Sequence, residues 1–158
     1  MPERDRHPRT VDPAAVPARL RSLASRLLGR GALHADRISN ARLDTAGATR
    51  WQYSVLVTLR DTGPASQAAL SDRTGIHRSD MVAVLGTLAQ AGQVRRLPDP
   101  ADRRRNIVTL TPTGRSRLDL LDRLVDEAQD ELLAPLSPAE RLDLVRLLQR
   151  LDNHHTTR

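Results

Sequence analysis

The sequence contains no cysteine, no phenylalanine and no lysine, and it has one tryptophan and one tyrosine among 158 residues. The missing cysteine excludes disulfides, thiolate metal sites and a cysteine-based peroxide sensor. Because aromatic rings are so few, burial must come from leucine, valine, alanine and isoleucine, a composition typical of packed helices. The length suits one hydrophobic core. These features predict a single, mainly helical domain.

Long apolar runs are also absent. No run reaches the roughly 18 residues that a membrane span requires, and the first ten residues, MPERDRHPRT, lack the apolar segment of a signal peptide. We therefore expect a cytoplasmic protein that has no membrane partner.

Motifs for catalysis are missing as well. The sequence has no nucleophile elbow, no phosphate-cradling glycine loop and no paired carboxylates in a plausible pocket. Two adjacent histidines, His154 and His155, do not by themselves make a metal site. We expect no enzyme activity, no cofactor and no bound metal.

Charge of one sign dominates, since 25 basic residues face 19 acidic ones and give a net charge of +6. Every basic residue is an arginine. Two explanations for the use of arginine in place of lysine are equally good: a GC-rich coding bias and a functional reason. The positive sign of the net charge nevertheless favours a polyanionic partner.

The most informative stretch is residues 66–111, which predicts two short helices joined by a tight turn and then two strands. Ser66 suits the N-cap of the first helix, and Gly75 suits its left-handed end. In the second helix, apolar residues recur with the spacing that turns one face towards a core. These residues are Met81, Val84, Leu85 and Leu88.

The opposite face of this second helix carries small side chains. Its residues are Ser79, Val82, Ala83 and Gly86, with Arg78 and Asp80 near the start. A slim face fits the major groove, because bulky side chains would hold the backbone away from the base edges. The second helix is therefore a candidate recognition helix.

The two predicted strands, residues 93–97 and 106–110, flank a loop with two prolines and three successive arginines. Proline stiffens the loop, and arginine binds polyanions. The hairpin therefore has the form of a wing that reaches the neighbouring minor groove, where the narrow, negative channel attracts arginine.

These motifs resemble the MarR family of bacterial transcription regulators. The matching strings are TGIHRS at 74–79, GQVRR at 92–96, DPADRR at 99–104 and LTPTG at 110–114. With lower specificity the resemblance covers about residues 16–152. It implies a winged helix-turn-helix with long N- and C-terminal helices that form a dimerisation region.

The domain boundaries follow from this resemblance. We expect a flexible tail over 1–12, one domain over 13–152 and a second tail over 153–158. Within the domain, the winged helix-turn-helix covers about 49–111. The dimerisation helices cover about 16–43 and 112–152.

On the recognition helix, Arg78 and Ser79 lie at the N-terminus, where the helix dipole favours phosphate. Val82 and Ala83 can contact thymine methyl groups. Asp80 either accepts a hydrogen bond from cytosine N4 or only stabilises the helix N-terminus. The expected cap of this helix is weak or comes from Ser79, because His77 stands where many members of the family have an N-capping aspartate.

On the wing, the D-x-R motif of the family implies that Arg104 enters the minor groove and that Asp102 orients it through a charge-assisted pair. Arg103 and Arg105 contact phosphates or remain solvated. We expect all four residues to belong to the DNA-binding site.

Four further signals mark the flanking helices. A long helical pattern over 16–43 contains Gly29 and Gly31, which predict a kink or break there. Thr49 and Gln52 have the form of a capping box that opens a helix ending at Gly63. Helices also begin at 111–112 and 137–140, where a capping residue precedes proline.

The leucines of these outer helices exceed what a small winged domain can cover. A second copy of the chain would bury them, which predicts a two-fold homodimer. Two recognition helices related in this way occupy major-groove faces about one helical turn apart. The expected target is therefore an inverted repeat in double-stranded DNA.

The resemblance implies a sequence-specific transcriptional regulator, usually a repressor that a small phenolic or anionic effector releases. Trp51 and Tyr53 are candidate effector contacts, although a core or interface role is the favoured interpretation for both. Two other hypotheses stay open. The chain could be an architectural or non-specific DNA-binding protein, or a winged-helix protein that binds other proteins.

Overall fold

The computed structural model describes residues 15–102 and 106–156. It confirms a mainly helical fold with a small antiparallel sheet of strand order β1-β3-β2. The helices are α1 (Ala18–Arg21), α2 (Ala24–Asp44), α3 (Arg50–Thr62), α4 (Gln67–Thr74), α5 (Arg78–Gln90), α6 (Pro112–Leu132) and α7 (Pro138–Thr156). The strands are β1 (Ala65–Ser66), β2 (Val94–Pro98) and β3 (Asn106–Leu110). The tail expected over 1–12 lies outside the described residues.

The chain divides into two compact units at Asp36, and α2 runs across the boundary. In the first unit, the predicted break near Gly29 and Gly31 is wrong. The chain leaves the helical course at Ser22, between α1 and α2, and α2 continues through both glycines. A glycine lowers helix propensity by about 1 kcal/mol but keeps its backbone N–H, so it weakens the helix without ending it.

The second unit, from Arg37 onward, contains the winged helix-turn-helix. Its core confirms the predicted inner face of α5, whose four apolar side chains are all buried. They pack with buried residues of the other elements in one cluster. The largest fully buried side chains outside α5 are Leu43, Val55, Leu56, Leu70, Leu118 and Leu121.

The wing consists of β2 and β3, which pair from Val94 with Leu110 to Pro98 with Asn106. The predicted strands thus appear, the first shifted by one residue. A third strand, β1, was not predicted. Its two residues pair with β3, where Ala65 lies opposite Val108. A strand this short has no periodicity of its own, so only the pairing defines it.

Capping chemistry confirms three of the predicted helix ends at α3 and α4. Thr49 and Gln52 form a full capping box at the start of α3. Ser66 caps α4, which ends at Gly75 in the left-handed conformation, with φ 71°. In this conformation glycine avoids the steric cost that a side chain would bring.

The C-terminal helix α7 starts at a second capping box, in which the Ser137 backbone N–H donates to Glu140 Oε2 over 2.8 Å. The pKa of Glu140 lies below its usual value, because the Ser137 hydroxyl and backbone stabilise its carboxylate. The tail expected from residue 153 is wrong as far as Thr156, where α7 ends. No glycine or proline interrupts residues 139–156, so the helical pattern has no reason to stop.

The exit from the wing is held against the end of α5. The backbone N–H of Thr111 donates to the Gln93 carbonyl over 3.1 Å. Its hydroxyl donates to the Gly92 carbonyl over 2.6 Å and accepts from the backbone N–H of Gly114 over 3.0 Å. A Cβ at Gly114 would lie 2.0 Å from the Gln93 carbonyl oxygen. Only glycine allows this approach of the two segments.

We therefore predict that Gly114→Ala lowers the free energy of unfolding by about 3 kcal/mol or more, because backbone must move to admit the methyl group. The measurement is urea unfolding at constant protein concentration. The matched control is Gly86→Ala within α5, where nothing lies within 4 Å of the added Cβ. This control should gain up to about 1 kcal/mol from helix propensity. Equal stability of the two variants would contradict the packing described.

Candidate nucleic-acid interface

The outer face of α5 is exposed and slim. Ser79, Val82 and Ala83 are exposed, and Gly86 beside them is partly so. Val82 is the largest apolar side chain on this face and is 53% exposed. An exposed valine and alanine on a helix with a well-packed inner face suit contact with methyl groups of thymine in a major groove.

The start of α5 is fixed by an imidazole. His77 is the N-cap, and its Nδ1 accepts from the Ser79 backbone N–H over 3.4 Å. The same nitrogen lies 2.8 Å from Ser79 Oγ. Of the two expectations for this cap, a weak cap agrees with the 3.4 Å length of the bond, and a cap supplied by Ser79 is wrong, because His77 supplies it. Imidazole is not a usual capping group, which is why the sequence rules missed it.

Two other predicted residues lie at this end of α5. Arg78 is exposed, and its guanidinium can reach outwards. Asp80 is half-buried in the first turn of the helix, where a negative charge stabilises the N-terminus. The structure thus brings the five predicted α5 residues together on one end and one face of the helix.

On the wing, β2 exposes Arg95 and Arg96. Neither residue was among the predicted DNA contacts, although both belong to a string that matches the family. Val94 begins the strand and is buried, so β2 is anchored at one end and solvent-exposed along the rest. The signal for these residues was a basic pair on a strand that follows the recognition helix. Asp102 is half-buried. Arg103, Arg104 and Arg105 lie outside the described residues.

Arginines differ in their partners across the second unit. Arg42 and Arg60 each bond to two carboxylates. Among the described residues, no carboxylate forms an ion pair with Arg78, Arg95 or Arg96. Cations that lack a protein partner are the ones that can exchange their counterions for phosphate. Exposed cations without a carboxylate partner among the described residues therefore lie on both α5 and β2.

The two aromatic residues lie at the start of α3 and differ in environment. Trp51 is 48% exposed. Tyr53 is half-buried, and its hydroxyl donates to Asp122 Oδ1 over 2.9 Å. Asp122 also bonds to Arg60, so the three side chains join α3 to α6. Burial and the bond to Asp122 raise the pKa of Tyr53 to about 12.

A cavity of about 230 Å³ lies at the C-terminal end of α5. Its lining is formed by Gly47, Ala48, Gln52, Thr87, Leu88, Ala91, Gln93, Arg117 and Leu121. Arg117 supplies a cation and donates a hydrogen bond to the Ala46 carbonyl. Neither predicted aromatic residue lines it. Sequence reasoning missed this cavity because its walls come from separate segments that only folding brings together.

Within 15–102 and 106–156, no three histidine or carboxylate side chains are grouped so as to hold a metal ion. Of the helices described, none combines the length and the apolar character needed to cross a membrane.

Comparisons with known proteins agree on one family. A family model described as the MarR family matches residues 48–105. The repressor NicR of Pseudomonas putida is 32% identical over 103 residues, which are 65% of this chain and 65% of NicR. The chain thus aligns with just under two thirds of NicR. The regulator HosA of Escherichia coli O111:H- is 30% identical over 66% of this chain and 78% of HosA.

A solved structure supports the fold. It is the structure of BpsR from Bordetella bronchiseptica, whose DNA binding is regulated by 6-hydroxynicotinic acid. The similarity has a TM-score of 0.76 and 28% identity, and it covers 87% of this chain and 98% of the other. The mainly helical, winged architecture is therefore shared with a protein of that function.

The environment of Tyr53 gives a direct test of the α3–α6 contact, because it is the only tyrosine of the chain. We predict that ultraviolet absorbance of tyrosinate in the folded protein titrates at about pH 12, against about 10 in the denatured chain. Because folding raises the pKa of Tyr53, the stabilisation that its neutral hydroxyl gives the folded state is complete below pH 10. It is lost as pH rises from about 10 to 12.

The variant Asp122→Asn should lower this pKa part of the way, because the accepting anion is lost while burial remains. The control is Asp119→Asn, an exposed aspartate on the same helix. A folded protein whose tyrosine titrates near 10 would contradict the contact.

Proposed function

Since the chain belongs to the MarR family, we propose that it is a sequence-specific transcriptional regulator, a homodimer that represses by binding an inverted repeat in duplex DNA. The observation that carries this proposal is the slim, exposed face of α5 beside strand β2, whose Arg95 and Arg96 form no ion pair with a carboxylate among the described residues. Both named relatives are transcription regulators, in agreement with the expectation that the chain is not an enzyme. NicR, being a repressor, supports the sign of regulation.

In this proposal α5 occupies the major groove. Val82 and Ala83 contact thymine methyl groups, because they are exposed and apolar. Arg78 contacts phosphate at the positive end of the helix. Asp80 either accepts a hydrogen bond from cytosine N4 or only stabilises that end of the helix.

The wing supplies the second contact. Arg104 enters the minor groove, Asp102 orients it, and Arg103 and Arg105 contact phosphate. Support comes from the exposure of Arg95 and Arg96 along β2. Shape and electrostatic potential of the minor groove then contribute to specificity.

Homodimerisation is supported by exposed apolar residues in each unit. In the first unit these are Leu20, Leu27, Leu28 and Leu33. In the second unit they are Leu142, Val145, Leu147, Leu148 and Leu151, all on α7. Helix α7 has no buried residue in the single chain. A soluble protein rarely leaves such a set uncovered, and helices over 16–43 and 112–152 in a second copy would bury it. The protein would act in the cytoplasm.

The decisive test is selection of bound duplexes from a random pool. We expect an inverted repeat whose half-sites are about one helical turn apart. Arg104→Ala should then reduce affinity for the selected duplex by about tenfold or more, since a minor-groove contact and a charge are lost. The control is Arg123→Ala, an exposed arginine of α6.

An architectural or non-specific DNA-binding protein would behave differently. It would bind random and selected duplexes with equal affinity and the same salt dependence. Either that result or unchanged binding by Arg104→Ala would contradict the proposal.

An effector that relieves repression would occupy the cavity at the end of α5. BpsR, to which the chain is similar, is regulated by 6-hydroxynicotinic acid. Arg117 offers a cation for a carboxylate, and Gln52 and Gln93 offer neutral hydrogen bonds. Thr87 and Leu88 of α5 line the same cavity, so a bound ligand contacts the recognition helix directly. A coupling of about 1 to 3 kcal/mol would weaken DNA binding roughly 5- to 150-fold.

We predict that 6-hydroxynicotinic acid weakens binding to the selected duplex and that Arg117→Met abolishes this response. Thermal unfolding of the variant shows whether the loss of the bond to Ala46 disturbs the fold. Arg123→Met is the control on the same helix. A ligand response that survives in Arg117→Met would exclude this cavity, and the absence of any response to hydroxylated aromatic acids would exclude the effector class.

A further inference from the structure

The hydrogen bonds of His77 determine which of its ring nitrogens carries a hydrogen. The backbone N–H of Ser79 is directed at Nδ1 over 3.4 Å, and an N–H group cannot bond to a protonated ring nitrogen. Nδ1 is therefore the unprotonated nitrogen, and Nε2 carries the hydrogen. This assignment rests on the backbone of α5, which cannot rotate to suit the ring.

The tautomer of His77 in turn determines the role of the Ser79 hydroxyl. Ser79 Oγ lies 2.8 Å from Nδ1, and an unprotonated nitrogen offers only a lone pair. The 2.8 Å contact needs a hydrogen between the two atoms, so the hydroxyl donates its single hydrogen to Nδ1 and shares the one ring lone pair with the longer contact of 3.4 Å from the backbone N–H. What Ser79 presents to solvent is a pair of oxygen lone pairs, which can accept a hydrogen bond but cannot donate one.

A serine in the major groove usually reads either kind of base edge, because its hydroxyl can donate or accept. We propose that His77 restricts Ser79 to accepting, so that Ser79 reads an exocyclic amino group, N6 of adenine or N4 of cytosine. The proposal rests on the proposed function, in which the exposed face of α5 meets the bases. It makes His77 a positioning residue for specificity.

The same restriction argues against a phosphate contact by the Ser79 side chain. Phosphate oxygens are acceptors, and they need a donor that Ser79 no longer has. Arg78, its exposed neighbour, has donors in excess and no ion pair among the described residues. In this proposal Arg78 therefore contacts the phosphate backbone of the DNA, and Ser79 contacts a base.

Every base pair contains one amino-bearing base and one oxygen-bearing base, so a selected motif alone does not test the proposal. The probe is the selected duplex in which one base at a time lacks a single functional group. Adenine is replaced by purine and cytosine by 2-pyrimidinone, which lack the amino group. In a second series, thymine and guanine are replaced by analogues that lack O4 or O6.

At one position in each half-site, deleting the amino group should weaken binding of the unmodified protein about five- to tenfold, as for one hydrogen bond. The same deletion should have no effect on Ser79→Ala. Oxygen deletions should affect both proteins equally. The control Ser116→Ala, an exposed serine on α6, should respond like the unmodified protein.

The variant His77→Gly tests the positioning role, because glycine is tolerated at an N-cap and removes the acceptor while preserving the helix start. In this variant the hydroxyl is free to donate, so the dependence on the amino group should shrink and a dependence on O4 or O6 should appear. Thermal unfolding confirms that the variant is folded.

The inference would be overturned by an oxygen deletion that weakens binding of the unmodified protein but not of Ser79→Ala. It would also be overturned if His77→Gly showed the same pattern of deletion effects as the unmodified protein. A selected inverted repeat that does not depend on Ser79 would overturn this inference alone. Failure of the unmodified protein to select any duplex would overturn the proposed function as well.

Discussion

The junction between the end of α5 and the start of α6 is the contact on which the functional arrangement depends. Thr111 bonds to Gly92 and Gln93, and the backbone at Gly114 approaches so closely that no side chain fits. These bonds close the wing onto the recognition helix. They also fix where α6 leaves the winged part of the chain. The recognition helix, the wing and α6 are therefore joined by direct contacts at this junction.

Charged side chains in this protein differ in their partners. Arg42, Arg60 and Arg141, which lie away from α5 and the wing, are bonded to carboxylates. Those on the candidate interface lack such partners among the described residues, so their charge remains available for phosphate. The candidate recognition face itself is small, since its exposed outward side chains are a serine, a valine and an alanine. Much of the specificity must then come from the shape of the DNA and the position of the wing.

The sequence predicted those features that depend on local chemistry. The inner face of α5, the cap at Ser66, the left-handed Gly75 and the box at Thr49 each follow from a few neighbouring residues, and the structure has them all. Features that depend on distant partners were missed. Strand β1 exists only through its pairing with β3, and the cavity only through the meeting of separate segments.

Two local predictions also failed, for a different reason. Gly29 and Gly31 lower helix propensity, yet neither removes a backbone donor, and α2 continues through them. His77 caps α5 although imidazole is not among the usual caps. In both cases hydrogen bonding decided the structure where residue preference pointed elsewhere.

The central claim is that two copies of this chain place their recognition helices in successive turns of one duplex. Because the chain has no cysteine, Gln90→Cys on the exposed side of α5 introduces one spin label per chain. Electron–electron distance measurement on the complex with the selected duplex then reports the separation of the two helices. The account predicts a single distance near one helical turn of DNA, about 34 Å before the length of the label arms is added. Absence of a dipolar signal, or a separation unrelated to the helical repeat, would contradict it.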